Sequence, residues 1–159
     1  MSDEIYEICP GIWFGPYDYT FTEDCIHRMT HIINLDTLES STSTRARILC
    51  KFRHFPSYDQ DNFPILKMYL EDVKEFIKDA SNVYIHCYMG SNRSAIIACA
   101  IALERTSDSF NTLLNRLRTE IKTRPILTTD RFLQQLILFE EELLTSRSKA
   151  SFTSHSIRK

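Results

Sequence analysis

A single α/β domain, built on a central β-sheet flanked by helices, is the fold class this sequence predicts. Three observations predict it. Short apolar segments of strand type alternate with helical patterns in the first half of the chain. Three helical patterns then follow one another in the second half. No internal repeat or flexible interdomain linker divides the 159 residues, a length suited to one compact domain.

The elements read as follows. IYEICPGIWFG, from Ile5 to Gly15, gives two short strands around a Pro-Gly turn. Thr22 to Met29 gives a short helix, with Thr22 as N-cap and acids in the first turn. HIINLD, from His31 to Asp36, is an apolar strand run, and the polar stretch TLESSTSTRAR after it reads as loop. ILCKFRHF, from Ile48 to Phe55, is the next strand candidate. From Pro64 to Ala80, Leu66, Leu70, Val73, Phe76 and Ile77 recur at helical spacing, with Pro64 suited to a first turn. NVYIHC, from Asn82 to Cys87, favours a strand that runs straight into a glycine loop.

Three helices complete the domain. Ser94 to Glu104 is nearly all apolar and is expected to be buried. Phe110, Leu113, Leu114, Leu117 and Ile121 form one stripe, and Phe132, Leu133, Leu136, Ile137, Leu143 and Leu144 another, from about Asp130. The domain is expected to span residues 1–145. Residues 146–159 are Ser-rich and basic, without an acid, and read as a flexible, frayed tail.

A formal net charge of −2 gives no basic excess of the kind that nucleic-acid binding usually leaves. No apolar run approaches the roughly 18 to 20 residues of a membrane span, and MSDEIYEICPGIW lacks the basic n-region of a signal peptide. An intracellular protein, cytoplasmic or nuclear, is the expectation. Cys9, Cys25, Cys50, Cys87 and Cys99 form neither a C-x-x-C pair nor a zinc pattern. Cys87 apart, they read as buried free thiols.

The chemistry lies in His86-Cys87-Tyr88-Met89-Gly90-Ser91-Asn92-Arg93-Ser94, between a strand and an apolar helix. A turn entering a helix aims several backbone N–H groups at one point and makes an anion site. Tyr88, Met89, Gly90, Ser91, Asn92 and Arg93 would form this cradle, with Gly90 allowing the torsions and Arg93 adding a permanently charged planar fork. Cys87 at its mouth is the expected nucleophile, attacking phosphorus as a thiolate. Ser94 is placed to hydrogen-bond the sulfur as it leaves. No metal or cofactor is called for, since Arg93 and the amides supply the charge. Chance matches all five positions (His, Cys, Gly, Arg, Ser) in well under about one chain in a thousand, which sets aside a structural cysteine beside a glycine loop.

HCYMGSNRS resembles the H-C-x-x-G-x-x-R-S signature of the dual-specificity phosphatases within the protein tyrosine phosphatase superfamily. ICPGIWFG is similar to their opening strand pair, HIINLD to a core strand and TRPILTTDRFLQQLILFEEEL to the closing helix. The short chain resembles the small atypical cellular members and those of poxviruses. The resemblance implies a central, mostly parallel sheet, a phosphocysteine intermediate on Cys87 and phosphorylated proteins as partners. It also implies a general acid in FPSYDQDNFP. The family's proline three residues before the acid fits Pro56 and Asp59, so Asp59 leads Asp61. Asn34 resembles the asparagine that braces the phosphate loop, with a plain strand-end turn as its alternative. His86 would orient the loop and keep Cys87 ionised, or be structural. Two departures stand out: Tyr88 and Met89 replace small residues, and Thr129-Asp130 replace the asparagine that starts the closing helix.

Three other functions remain in view. Phosphoinositide phosphatases of the superfamily tend to carry loop lysines, which are missing here. RNA 5′-phosphatases share an asparagine at the position of Asn92 but usually follow the arginine with threonine. A non-catalytic phosphoprotein-binding module would not need Cys87, Arg93 and an acid together. Oligomeric state stays open, a homodimer included.

Overall fold

The computed structural model describes residues 4–60 and 62–157. Five strands form one sheet in the order β1-β2-β5-β3-β4. β1 (Tyr6–Cys9) and β2 (Ile12–Gly15) pair antiparallel, and β2 pairs in parallel with β5 (Val83–His86). β3 (His31–Asn34) lies parallel between β5 and β4 (Lys51–His54). The Pro-Gly turn of the first hairpin needs its glycine. Gly11 has φ 80°, and a Cβ there would come within 2.5 Å of the Ser81 carbonyl oxygen.

β3 and β5 are buried at every position, as central parallel strands covered on both faces are. The two-residue period sorts their side chains. Ile33, Val83 and Ile85 join the main core, while Ile32 and Tyr84 join a smaller one on the opposite face with Tyr19, Cys25, Met29 and Cys50.

Helix α4 (Arg93–Arg105) is the hub of the main core. Ser94 through Leu103 are all buried, and Ala95, Ala98, Ala100 and Ala102 let neighbours approach closely. It packs on α3 (Ile65–Ile77) and α6 (Asp130–Ile157), with α5 (Phe110–Glu120) alongside and the sheet beneath. On the other face, α1 (Glu23–Arg28) begins at Thr22, whose hydroxyl accepts the Cys25 N–H as expected of an N-cap.

Two stretches differ from the sequence reading. α2 (Thr44–Leu49) occupies residues expected to be loop and strand. Ser43 caps it by accepting the Ala46 N–H, and the apolar Ile48 and Leu49 that suggested a strand are exposed on it. The fourth strand is therefore only Lys51–His54. At the far end, α6 does not stop where the composition changes at Ser146 but runs on to Ile157. Arg147 Nη2 donates to the Leu103 and Glu104 carbonyls, satisfying acceptors at the C-terminus of α4. Among the described residues, no helix is long and apolar enough to cross a membrane.

The parallel strands point the same way, so the segments after β3, β4 and β5 leave the sheet along one edge. Asn34 is level with His86 on one side and His54 on the other. A crevice at the C-terminal ends of parallel strands is where α/β sheets gather ligand groups.

Candidate active site

The loop from Cys87 to Asn92 joins β5 to α4, and its carbonyl groups are held from outside. Cys87 O accepts from His86 Nδ1 at 3.2 Å, Tyr88 O from the Tyr17 N–H at 3.2 Å, Gly90 O from Arg124 Nε at 3.0 Å and Ser91 O from the Leu127 N–H at 2.9 Å. In a planar trans peptide the carbonyl and the next N–H point in opposite directions. Fixing these four carbonyls therefore turns the N–H groups of Tyr88, Met89, Ser91 and Asn92 away from those partners. Such an arrangement can serve as an anion-binding nest.

Gly90 is required twice over. Its φ is 74°, and a Cβ would come within 2.3 Å of the Gly15 carbonyl carbon and 2.6 Å of the Pro16 nitrogen. The loop thus rests directly on backbone at the end of β2. Cys87 is 2% exposed, and its Sγ lies 3.3 Å from Ser94 Oγ. Tyr88 and Met89 project outward, more than half exposed, and the Tyr88 ring stacks on Tyr17 at 4.8 Å. Ser91 Oγ is buried without a hydrogen-bond partner among the described residues.

Arg93 starts α4 with its guanidinium about nine-tenths buried. One nitrogen, Nη1, donates to Ser57 O at 2.8 Å, Asp36 Oδ1 at 3.2 Å and Leu35 O at 3.5 Å. Nε and Nη2 have no protein acceptor among the described residues, leaving two donors of the fork for a phosphate. Sequence reasoning missed Asp36, although it ends the HIINLD run it singled out. It also missed Arg124, half-buried behind Gly90. Burial lowers the Arg124 pKa, and neighbouring Tyr84 and Cys87 oppose that shift. A guanidinium keeps its charge through such a change, so a second cation stands behind the loop.

His86 is fully buried, and burial lowers its pKa to about 4. A carbonyl oxygen can only accept, so Nδ1 carries the proton toward Cys87 O, and Nε2 accepts from Thr42 Oγ1 at 2.7 Å. His86 therefore holds the Cys87 carbonyl by a hydrogen bond, and burial keeps its ring neutral at neutral pH. This has a stability consequence. Between about pH 6.5 and 4 the unfolded chain binds a proton that the folded chain refuses, so stability falls as pH drops through that window, by up to roughly 3 kcal/mol. Urea midpoints at pH 7.5 and 5 should fall more steeply for the native protein than for His86→Gln; equal losses would contradict the neutral buried ring.

Asn34 does not reach the phosphate loop. Its Nδ2 donates to Leu38 O, Glu39 O and Ser41 Oγ, and its Oδ1 accepts the Asp36 N–H at 2.7 Å. It shapes the turn carrying Asp36, the strand-end alternative, and so bears on Arg93 at one remove. The missing asparagine before the closing helix is answered from the other side: Asn92 Oδ1 accepts the N–H groups of Thr128 at 2.7 Å and Thr129 at 3.3 Å.

Asp59 follows β4 with both carboxyl oxygens engaged, Oδ2 by Asn92 Nδ2 at 2.9 Å and Oδ1 by Thr129 Oγ1 at 2.7 Å. The loop carrying Asp59 is further held where Tyr69 donates to Pro56 O. Asp61, the alternative acid, lies outside the described residues. All five cysteines are free and buried. Among the described residues, no group of three or more His, Cys, Asp or Glu side chains could hold a metal ion. A groove of about 760 Å³ between α3 and α6 contains none of Cys87, Arg93 or Asp59, so chemistry rather than cavity size marks the site.

The model of the dual specificity phosphatase catalytic domain matches residues 16–142. Among solved structures, the chain is similar to human tyrosine phosphatase-like serine/threonine/tyrosine-interacting protein, with 21% identity, a TM-score of 0.74, and coverage of 89% of this chain and 99% of that one. It is similar to DUSP15 at 20% identity and a TM-score of 0.70, over 86% and 85% of the two chains. A leucine rich repeat and phosphatase domain containing protein from Entamoeba histolytica aligns at 18% identity and a TM-score of 0.70, over 91% and 96%. At these identities the likeness is one of fold. No curated protein sequence matches the chain.

Proposed function

The chain belongs to the dual specificity phosphatase catalytic-domain family, and on that premise we propose that it is a protein phosphatase acting on phosphotyrosine and on phosphoserine and phosphothreonine through a phosphocysteine intermediate. The observation that carries this reading is a loop from Cys87 to Asn92 with four carbonyls held by outside partners, followed directly by Arg93, whose Nε and Nη2 have no protein acceptor among the described residues. A dianionic phosphoryl group needs such donors around its three equatorial oxygens as charge shifts in the transition state.

In the first step Cys87 Sγ attacks phosphorus in line with the ester oxygen. The S–P bond forms, the P–O bond breaks, and Asp59 gives its proton to the departing oxygen. In the second step the Asp59 carboxylate takes a proton from water, whose oxygen attacks phosphorus. The S–P bond breaks, phosphate is released and sulfur leaves as a thiolate, with the Ser94 hydroxyl beside it. Both steps are in-line displacements at one phosphorus, and they return the enzyme to its starting state.

A panel of phosphotyrosine, phosphothreonine and phosphoserine peptides, a phosphoinositide and a 5′-triphosphate RNA tests the substrate class. Turnover fastest on the peptides supports it, whereas preference for the lipid or the RNA would overturn it. On the same peptides Asp59→Asn should slow turnover by about 10²-fold, the usual weight of a general acid, and Asp61→Asn should have little effect. The reverse order would move the acid to Asp61.

A further inference from the structure

Asn92 occupies the N-cap of α4, where asparagine ordinarily turns its side chain onto the first N–H groups of its own helix. Here it makes no such bond. Its amide faces away, donating through Nδ2 to Asp59 Oδ2 at 2.9 Å and Thr128 Oγ1 at 3.1 Å, while Oδ1 accepts the N–H groups of Thr128 and Thr129. Those two backbone donors fix which end of the amide is oxygen. Both amide hydrogens and both lone pairs are in use, and the residue is 7% exposed. A side chain that leaves a local role for distant partners beside a nucleophile is where function is to be sought.

Three segments far apart in sequence meet on this amide: the loop with Asp59, the loop with Cys87, and the start of α6. Asp59 lies outside any helix or strand, so regular structure does not fix its carboxyl group. We propose that Asn92 is a positioning residue for the general acid, holding the Asp59 carboxyl in register with the phosphate cradle. This rests on the reading of Asp59 as that acid. The chemistry of the contact is directional. An amide N–H can only donate, so Oδ2 faces Asn92 unprotonated and Oδ1 carries the proton passed to the leaving oxygen. Thr129 Oγ1, 2.7 Å from Oδ1, can accept or donate and so tolerates either state of the acid. Arg93 follows Asn92 directly, so one short stretch of chain sets both the phosphate clamp and the acid.

General-acid catalysis matters most for poor leaving groups, which gives a readout that mere loosening of the loop would not move. The activities to compare are kcat/KM on phenyl phosphate and para-nitrophenyl phosphate, similar in size but different in leaving-group basicity. Asp59→Asn should lose about 10²-fold on phenyl phosphate and far less on the nitrophenyl ester. Asn92→Ala should show the same selectivity at about 10-fold, and no further selective loss when added to Asp59→Asn. Asn92→Asp, nearly equal in size, sets a carboxylate against Asp59 and should lose at least as much as the alanine variant. Equal losses on both esters, or additive losses in the double variant, would overturn the proposal while leaving Asp59 as the acid. An unselective loss in Asp59→Asn itself would overturn both.

Discussion

Cys87→Ser should lose at least about four orders of magnitude in turnover on every phosphoester, while still binding phosphopeptides. Serine fits the space of Cys87 and leaves the nest and Arg93 in place, so phosphate recognition persists. What disappears is the sulfur nucleophile, since an alcohol holds its proton far more strongly than a thiol and attacks phosphorus far less readily. The other cysteines provide the control. Burial raises the thiol pKa of Cys9, Cys25, Cys50 and Cys99, that of Cys25 to about 12, which makes them inert packing groups. Cys50→Ser should leave kcat within a few-fold of the native value. Residual hydrolysis in Cys87→Ser at a level comparable with Cys50→Ser would sink the covalent mechanism.

The second large effect is expected at Arg93, even for its closest substitute. Arg93→Lys should lower kcat/KM by about 10³-fold, mostly through kcat. On the proposed reading the guanidinium divides its work: Nη1 is occupied by Ser57 O, Asp36 Oδ1 and Leu35 O, while Nε and Nη2, without a protein acceptor among the described residues, hold the phosphate. A lysine ammonium has one nitrogen for both tasks. Drawn toward Asp36 it misses the phosphoryl group, and drawn toward phosphate it leaves a nine-tenths buried carboxylate without its cation. Lysine keeps the charge, so a deep loss in Arg93→Lys isolates the two-nitrogen geometry. Near-native kcat in that variant would mean the fork is not used.

The parts of this site that could be read from sequence are those whose chemistry is local. His86 through Ser94 lie at fixed spacing along one turn, and their placement follows from a strand, a glycine and a helix N-terminus in succession. The same holds for α3, whose apolar spacing matches the buried set Leu66, Leu70, Val73 and Ile77, and for the Thr22 cap of α1. Long-range partners left no such trace. Asp36 meets Arg93 because β3 and β5 are neighbours in register, and Arg124 meets Gly90 because the chain returns from α5 behind the loop. Neither contact has a spacing to detect. Asn34 shows the opposite error: its place at the end of a strand suggested a brace on the phosphate loop, yet its amide closes the turn at residues 36–41. α2 escaped because its apolar residues face solvent and its one buried residue, Ala46, carries little hydrophobic signal. The Ser-rich end of α6 was read as a frayed tail from composition, although serine, lysine and arginine are compatible with helix.

The central claim, that Cys87 attacks phosphorus and carries the phosphoryl group, is open to one direct measurement. The protein is mixed with excess para-nitrophenyl phosphate, quenched in acid during turnover, digested and analysed by mass spectrometry. A phosphate adduct on the peptide containing Cys87, present in the native protein and absent from Cys87→Ser, is the predicted result. Full turnover with no adduct on Cys87, or an adduct on another residue, would contradict it.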